Sequence, residues 1–464
     1  MPVWEARHGA RDNTGYARIN TAPIRRTPLT IPNLGRFADG VAPVTASNGQ
    51  VFICNDGGRL YAFEANGTPL WHRDLGHGFV ATTSPVVGTP VQGHFTIYVL
   101  GTRAMDDHTV SPVVTRAQAR LFAFTETGTP RWEQDLPFDD VREFRPAPPS
   151  LLQRFVAPEW LDSVILTLAF VSNPYPGLHT RIIAVSSGGA IEAVRDVSSH
   201  VSPIEGDVWW VPGFSFPLDT HPVWDTPVVL PAPGAAVEAS GWTPRIWVTD
   251  GIKYLFHYDF DGHAFTEQKR IELPGQSSPV MLDPHENIAE FQRIAFYSAG
   301  SELRSSNVST GPLGGTRVIA EGQATKLCPT YLGNHVLMFT RGSDDTRFPS
   351  GLVVVANGAV VSETTLPSQT MVPAAASQNH IFVSTKNVFL QYDRYMQKVG
   401  EVPWVNGGRI GPAIGPDGWV YAMASNILFI FPPMQNTGPV GGAHDTTHAP
   451  TGGGAGNAGR GRLG

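Results

Sequence analysis

Cysteine is nearly absent from this sequence: 464 residues carry two, Cys54 and Cys328. That count excludes a disulfide scaffold, and no CxxC metal site is present. Both thiols sit in apolar, strand-like surroundings (VFICN and KLCPT) and read as small buried hydrophobes. Charge is scarce as well, at 16% of residues, with 33 basic against 40 acidic side chains and a net of −7. Nucleic-acid binding needs a basic stripe, and the basic clusters here are only Arg25 with Arg26 and Arg460 with Arg462. No nucleic-acid partner is therefore expected. No run approaches the roughly 18 continuous apolar residues of a membrane helix, so no membrane span is expected. The polar start MPVWEARHGARDNTGYARIN has neither an apolar leader core nor a lipobox-like cysteine, which makes the cytoplasm the default compartment. G-x-S-x-G, H-E-x-x-H and Walker signatures are all missing.

What the sequence has in quantity is glycine (49), proline (40) and aromatic residues (10%), the composition of many short strands joined by tight turns. Self-similarity organises them. GRLYAFEANGTPLWHRDL (58–75) aligns without a gap on ARLFAFTETGTPRWEQDL (119–136), 61 residues later. Weaker copies follow at 180–197, 252–273, 350–366, 388–402 and 426–431. Each has an alternating strand, a turn with glycine where a positive φ is wanted, and a strand that pairs back. Upstream of each lie a start of small residues and proline and one further strand, as in APVTASNGQVFICN. The unit is thus four strands, and about eight units begin near residues 42, 82, 147, 224, 277, 328, 372 and 411.

A four-stranded sheet cannot bury both faces alone, whereas radial stacking does so and leaves only short edges. The expected fold is all-β: an eight-bladed β-propeller of four-stranded antiparallel blades. The last unit stops after three strands, and RRTPLTIPNLG (25–35) has the character of the missing fourth, so an N-terminal strand is expected to close the ring. Residues 1–24 then form a lead-in, 25–432 a single propeller domain and 433–464 a Gly-rich disordered tail.

The pattern at Gly58, Leu60, Tyr61, Ala62, Phe63, Gly67 and Trp71 resembles the pyrroloquinoline-quinone (PQQ)-type propeller repeat. The second copy supplies Leu121, Phe122, Ala123, Phe124, Gly128 and Trp132, and the opening Trp4, Gly9, Thr14, Gly15, Tyr16 and Ala17 is similar to the lead-in of such propellers. The resemblance implies that Trp71 and Trp132 are packing devices, buried between neighbouring blades. The family includes quinone-dependent alcohol dehydrogenases and the propeller lipoprotein of the outer-membrane β-barrel assembly machinery. The dehydrogenases use a vicinal cysteine pair and a calcium-type ion over the quinone, and this chain has no adjacent cysteines. No cofactor is expected, PQQ with such an ion being the alternative.

Long insertions gather on one side. Connections between second and third strands are long at 101–119, 172–180 and 341–350, and those between units at 137–147 and 198–223. In an antiparallel four-stranded sheet these two classes of connection leave from the same end. The loop near 205–225 combines Trp209, Trp210, His221 and Asp225, whose apolar area and polar groups suit a ligand or partner site. The same loop could instead fold inward and plug the channel. Asp106, Asp107 and His108 offer metal ligands or an acid–base group, and Tyr175, His179, Arg341 and Asp344 complete the candidate set on that face. Asp259, Asp261 and Gly262 fall where every repeat turns, and read as a hairpin rather than a calcium loop. The functional expectation is a non-catalytic scaffold that recognises a protein or other macromolecule through this face. The alternative is an enzyme at the channel mouth, a quinoprotein-like oxidoreductase or a lyase.

Overall fold

The computed structural model describes residues 17, 19–24, 27–38, 40–88, 94–107, 114–156, 159–172, 178–198, 228–230, 243–249, 254–274, 280–282, 294–299, 302–307, 316–321, 327–333, 336–341, 350–356 and 359–433. These contain strands and turns and no helix. Among the described residues the strands pair into eight antiparallel sheets. The first comprises Val44–Thr45, Val51–Cys54, Arg59–Phe63 and Pro69–Asp74, and the second Val86–Val87, Thr96–Asp107, Val114–Thr125 and Pro130–Asp135. The third holds Val141–Pro146, Ser150–Val156, Glu159–Ser172, Leu178–Ser186 and Ile191–Ser198, and the fourth Val228–Leu230, Arg245–Thr249, Tyr254–Phe260 and Phe265–Glu272. The fifth holds Met281–Leu282, Ile294–Ala299, Glu302–Asn307 and Thr316–Glu321, and the sixth Thr330–Gly333, Val336–Arg341, Gly351–Ala356 and Ala359–Thr365. Ala375–Ala376, His380–Ser384, Val388–Asp393 and Lys398–Pro403 make the seventh. In the eighth, Ala413–Ile414, Val420–Ala424 and Ile427–Phe431 are joined by Leu29–Ile31 from the start of the chain.

Burial follows strand position. Second strands such as Val51–Cys54, Arg245–Thr249, His380–Ser384 and Val420–Ala424 are buried at every residue. Fourth strands such as Pro69–Asp74 and Ala359–Thr365 are largely exposed. Sheets stacked face to face produce this gradient, because the centre of each is covered on both sides while its last strand forms the rim. The shared cores show the stacking directly. Phe52, Leu60, Ile97 and Phe122 join the first sheet to the second, Leu121, Leu166 and Ile183 the second to the third, and Ile165, Ile246 and Phe256 the third to the fourth. Cys54 and Cys328 are buried in this packing and form no disulfide, and burial raises the Cys54 pKa far above its ordinary value.

The hairpins between third and fourth strands repeat one design. The amides of Gly67, Gly128 and Gly189 donate to the carbonyls of Glu64, Thr125 and Ser186, at 2.8, 2.9 and 2.9 Å. Beside each turn the strand register slips by one residue, the signature of a bulge closed by a left-handed glycine. The left-handed backbone is only half of the glycine requirement. A Cβ on Gly128 (φ +79°) would lie 2.6 Å from the Trp71 ring of the preceding sheet, and one on Gly189 2.9 Å from that of Trp132. Each indole also donates across the junction, Trp71 Nε1 to the Glu126 carbonyl (2.8 Å) and Trp132 Nε1 to the Ser187 carbonyl (2.9 Å). The tryptophans therefore couple neighbouring sheets as the repeat implies, but they are half-buried rather than buried. They stand on the exposed fourth strand and cover the next turn from outside. A further regularity extends beyond the two strong repeats. Arg59, Arg120 and Arg181 lie 61 residues apart and pair across the strands with Asp74, Asp135 and Asp196 at 2.6, 2.6 and 2.7 Å.

The third sheet departs from the sequence reading, in which residues 137–147 form a connection. Val141–Pro146 pairs with the far half of Glu159–Ser172, and Ser150–Val156 with the near half. The two pieces are one first strand interrupted at Pro148 and Pro149, which have no N–H to give the ladder. Apart from that break the sheet has the usual four positions.

Leu29–Ile31 pairs with Ile427–Phe431, Thr30 opposite Phe429. Before it, residues 17 and 19–24 strap the seventh sheet. Ala17 N donates to the Ala376 carbonyl, Gln378 N to the Ile19 carbonyl, and Ile24 N to Gln391 Oε1 (2.7 Å), while Gln391 Nε2 donates to the Ala22 carbonyl. On the other side of the eighth sheet, Ile31 and Ile430 cover Gly67 of the first sheet as Trp71 covers Gly128, and the Tyr421 hydroxyl donates to the Ala65 carbonyl (3.0 Å).

Candidate interaction face

In each antiparallel sheet, the second-to-third connections and the sheet-to-sheet connections leave from one end. At that end, among the described residues, the second sheet carries the longest paired hairpin. Thr96–Asp107 and Val114–Thr125 run 12 residues each and stay paired from Thr96 opposite Thr125 to Asp107 opposite Val114. The first strand, Val86–Val87, reaches only Tyr98 and Ile97, and the fourth strand only Arg120 to Phe124. A single bridge, Val80 to Thr102, extends the inner side. Because Thr102 exchanges both backbone bonds with Val80, the N–H and C=O of Ala104, two residues on, face the same way. They have no partner among the described residues. Ala104 is exposed, and Met105 beside it is 40% exposed.

The root of this hairpin is rigid. Phe79, on the connection from the first sheet, lies under two guanidinium groups, Arg103 at 4.7 Å and Arg120 at 5.0 Å. Arg103 also donates to Gln118 Oε1 and to the His77 carbonyl, both at 2.9 Å, and Arg120 donates to Glu133 and Asp135. The next connection repeats the layer: Arg181 lies over Phe138 (5.0 Å) and Phe170 (5.3 Å). Cation–π contacts of this kind contribute about 0.5–2 kcal/mol each. Here they brace the loop bases.

The candidate residues from the sequence distribute as follows. His179 lies in the third sheet, half-buried, its ring stacked on Phe170 at 5.3 Å and 27°, so it belongs to the aromatic layer. Asp106 and Asp107 are the last residues of the hairpin's first strand, opposite Thr115 and Val114. Arg341 ends the second strand of the sixth sheet, opposite Gly351. These four stand at the loop-bearing end but in three different sheets. Trp209, Trp210, His221, Asp225, His108, Tyr175 and Asp344 lie outside the described residues, as do 434–464 of the Gly-rich tail. Asp261 behaves as a turn residue: its Oδ1 accepts the amides of His263 and Ala264, both at 2.8 Å. Among the described residues no group of three or more His, Cys, Asp or Glu side chains is placed to hold a metal ion.

Two features carry no motif in the sequence reading. The first is a buried polar pair in the fourth sheet. His257 stacks parallel on Trp247 (4.6 Å, 1°), and its Nε2 lies 3.6 Å from Asp259 Oδ1. Neither atom has a hydrogen-bond partner among the described residues. Burial, then the charges of Arg245 and Lys269, push His257 down to about 4, while burial raises the Asp259 carboxyl. Period two could have flagged them, since a His and an Asp two residues apart on a strand face one way. The second is a cavity of about 460 Å³ where the eighth sheet meets the connection to the first, lined by Phe37 and Ile410 with Arg36, Arg409, Asn406 and Asn426. Its sequence signal is a repeated Asn-x-Gly-Arg-hydrophobic segment, NLGRF at 33–37 and NGGRI at 406–410.

No protein-family model matches this chain, and no curated protein matches it in sequence. Solved structures do match. Sqt1 from Saccharomyces cerevisiae superposes with a TM-score of 0.51 at 8% identity, over 89% of this chain and 100% of that one. The Dos1 propeller gives 0.51 at 9% identity, over 89% and 94%. BamB from Moraxella catarrhalis gives 0.49 at 12% identity, over 88% and 98%, too loose a likeness to argue from. At these identities the similarity shows the fold alone: four-stranded antiparallel sheets in a β-propeller. The resemblance to the PQQ-type repeat rests on the motif residues alone.

Proposed function

We propose that this chain is an eight-bladed propeller, closed by Leu29–Ile31 as the fourth strand of the last blade, and that it works as a non-catalytic platform for a protein partner. Support for closure comes from the eighth sheet, which packs on both the seventh and the first. One observation carries the functional reading: the hairpin of the second sheet extends past the first and fourth strands of its own sheet on a braced root and presents the backbone of Ala104, unpaired among the described residues. Natural proteins cover or blunt free strand edges, and an edge left open on a rigid support suits addition of a strand from a partner. Trp209, Trp210, His221 and Asp225, which follow the third sheet in the chain, are proposed as further side-chain contacts for the same partner. No cofactor takes part in this reading.

The test is affinity capture from the source cells with quantitative mass spectrometry. Three forms are compared: the native chain, a form with residues 104–117 replaced by an Asn-Gly turn that closes on the Arg103–Gln118 pair, and Ala104→Pro. Proline at 104 removes only the outward donor, so the fold survives while strand addition is blocked. The expected result is a partner enriched by the native chain and lost from both variants, with unchanged melting temperatures. Equal capture by all three forms would defeat the reading.

A further inference from the structure

The cavity at the junction of the eighth and first sheets is assembled from two copies of one local structure. In NLGRF and NGGRI the asparagine is left-handed (Asn33 φ +63°, Asn406 φ +57°), and so is the glycine before the arginine (Gly35 φ +83°, Gly408 φ +78°). Each segment joins a fourth strand to the first strand of the next sheet, and each delivers its arginine and the following apolar residue to the same space. Phe37 and Ile410 are buried, at 4% and 5% exposure, and form an apolar floor. Arg36, Arg409, Asn406 and Asn426 are exposed at the rim. Backbone bonds tie the walls together. Leu34 N donates to the Asn426 carbonyl (3.1 Å) and Gly40 N to the Arg409 carbonyl (2.6 Å). The Leu34 carbonyl is gripped from behind by Asn55 Nδ2 (2.8 Å) and the Tyr61 hydroxyl (3.1 Å). The cavity is thus pre-formed, within the size range of small-ligand sites.

We infer that this cavity is a binding site for a carboxylate attached to an apolar group, with Arg36 and Arg409 taking the anion, the two asparagine amides completing its hydrogen bonds, and Phe37 and Ile410 receiving the apolar part. Planar guanidinium forks match a carboxylate in two-point contact, and paired presentation over an apolar floor selects for an anion that carries hydrophobic surface. Asp56 is a competitor built into the site: its Oδ2 lies 3.3 Å from Arg36 Nε, a loose contact with Arg36 84% exposed. A ligand carboxylate displaces it. The chemistry is met by an acidic side chain or C-terminus on a partner peptide and equally by a free aryl or alkyl acid. The inference is independent of the hairpin, so a hairpin-trimmed protein retains the site.

The experiment is calorimetric titration of the full chain with two probes, 3-phenylpropionate and the peptide acetyl-Gly-Phe-Glu-Gly-amide, each beside its uncharged amide analogue. Both acids, or one of them, bind at low salt while the amides bind at least about tenfold more weakly, the order expected for a charge-assisted pair. Peptide binding alone assigns the site to a protein partner, and binding of the free acid alone assigns it to a small molecule. Arg36→Gln and Arg409→Gln each weaken binding by about tenfold or more without lowering the melting temperature. Asp56→Asn strengthens it severalfold by releasing Arg36. Failure of both acids to bind at about 10 mM, a concentration that fills even a millimolar site, overturns the inference. So does an affinity unchanged in the double arginine variant.

Discussion

At the scale of single residues, His257 and Asp259 show what a propeller strand does to titratable groups. A second or third strand is covered on both faces, so any ionisable side chain placed there is desolvated whether or not a partner exists. His257 titrates near 6.5 when unfolded and is pushed down to about 4 in the fold, first by burial and then by Arg245 and Lys269. Between those values the folded state binds fewer protons than the unfolded chain. The contribution to stability is therefore complete above pH 6.5 and is lost as the pH falls towards 4. Its full size is on the order of 3 kcal/mol. Asp259, raised by burial, works in the opposite sense at the acid end of that window. Denaturant midpoints measured from pH 7 to 4 should fall in the native protein and flatten in His257→Phe, which keeps the stack on Trp247. Parallel curves for the two proteins would show that His257 is not the group responsible.

Elements are coupled through the pairing of an indole with a glycine turn. Trp71 and Trp132 each cover the turn of the following sheet and donate to it, while Ile31 covers Gly67 with apolar contact alone. Trp71→Ala should cost about 2–4 kcal/mol, at the lower side of a large core truncation because the ring is half-buried. Gly128→Ala meets two obstacles, a left-handed φ of +79° and the Trp71 ring. It should cost about 1–3 kcal/mol from the backbone alone and more with the collision. Removal of the indole removes the collision, so the double variant should lose less than the sum of the single losses. Urea midpoints for the four proteins of that cycle provide the check, and strict additivity would mean that the two residues do not touch in solution.

For the molecule as a whole, the start of the chain matters most. Residues 17 and 19–24 strap the seventh sheet, and Leu29–Ile31 covers what is otherwise the bare edge of Ile427–Phe431. Gln391 is fully buried and serves the strap at both ends of its amide, so Gln391→Ala strands the Ile24 donor and the Ala22 acceptor. That should cost about 2 kcal/mol. Deletion of residues 1–31 goes further and exposes the edge strand, with a lower melting temperature and concentration-dependent association expected in light scattering. A monomeric deletion protein with the native melting temperature would show that stability does not depend on closure.

The strand pattern, the turn chemistry and the presence within 25–35 of a strand, Leu29–Ile31, that pairs with the last one were legible because each depends on local rules: period-two alternation, positive φ at glycine, an unpaired edge in need of a partner. The start of the third sheet was not, since Pro148 and Pro149 look like the end of a connection and only the long partner strand Glu159–Ser172 reveals that the ladder resumes beyond them. The loop-bearing end was deduced from connection lengths, yet the height of the second-sheet hairpin depends on how far its neighbours reach. The arginine cavity escaped for a related reason. NLGRF and NGGRI are almost 370 residues apart and ordinary in themselves. They become one site only when the two ends of the chain meet, because adjacency in a stack of sheets is set by packing of the cores and has no trace in local sequence.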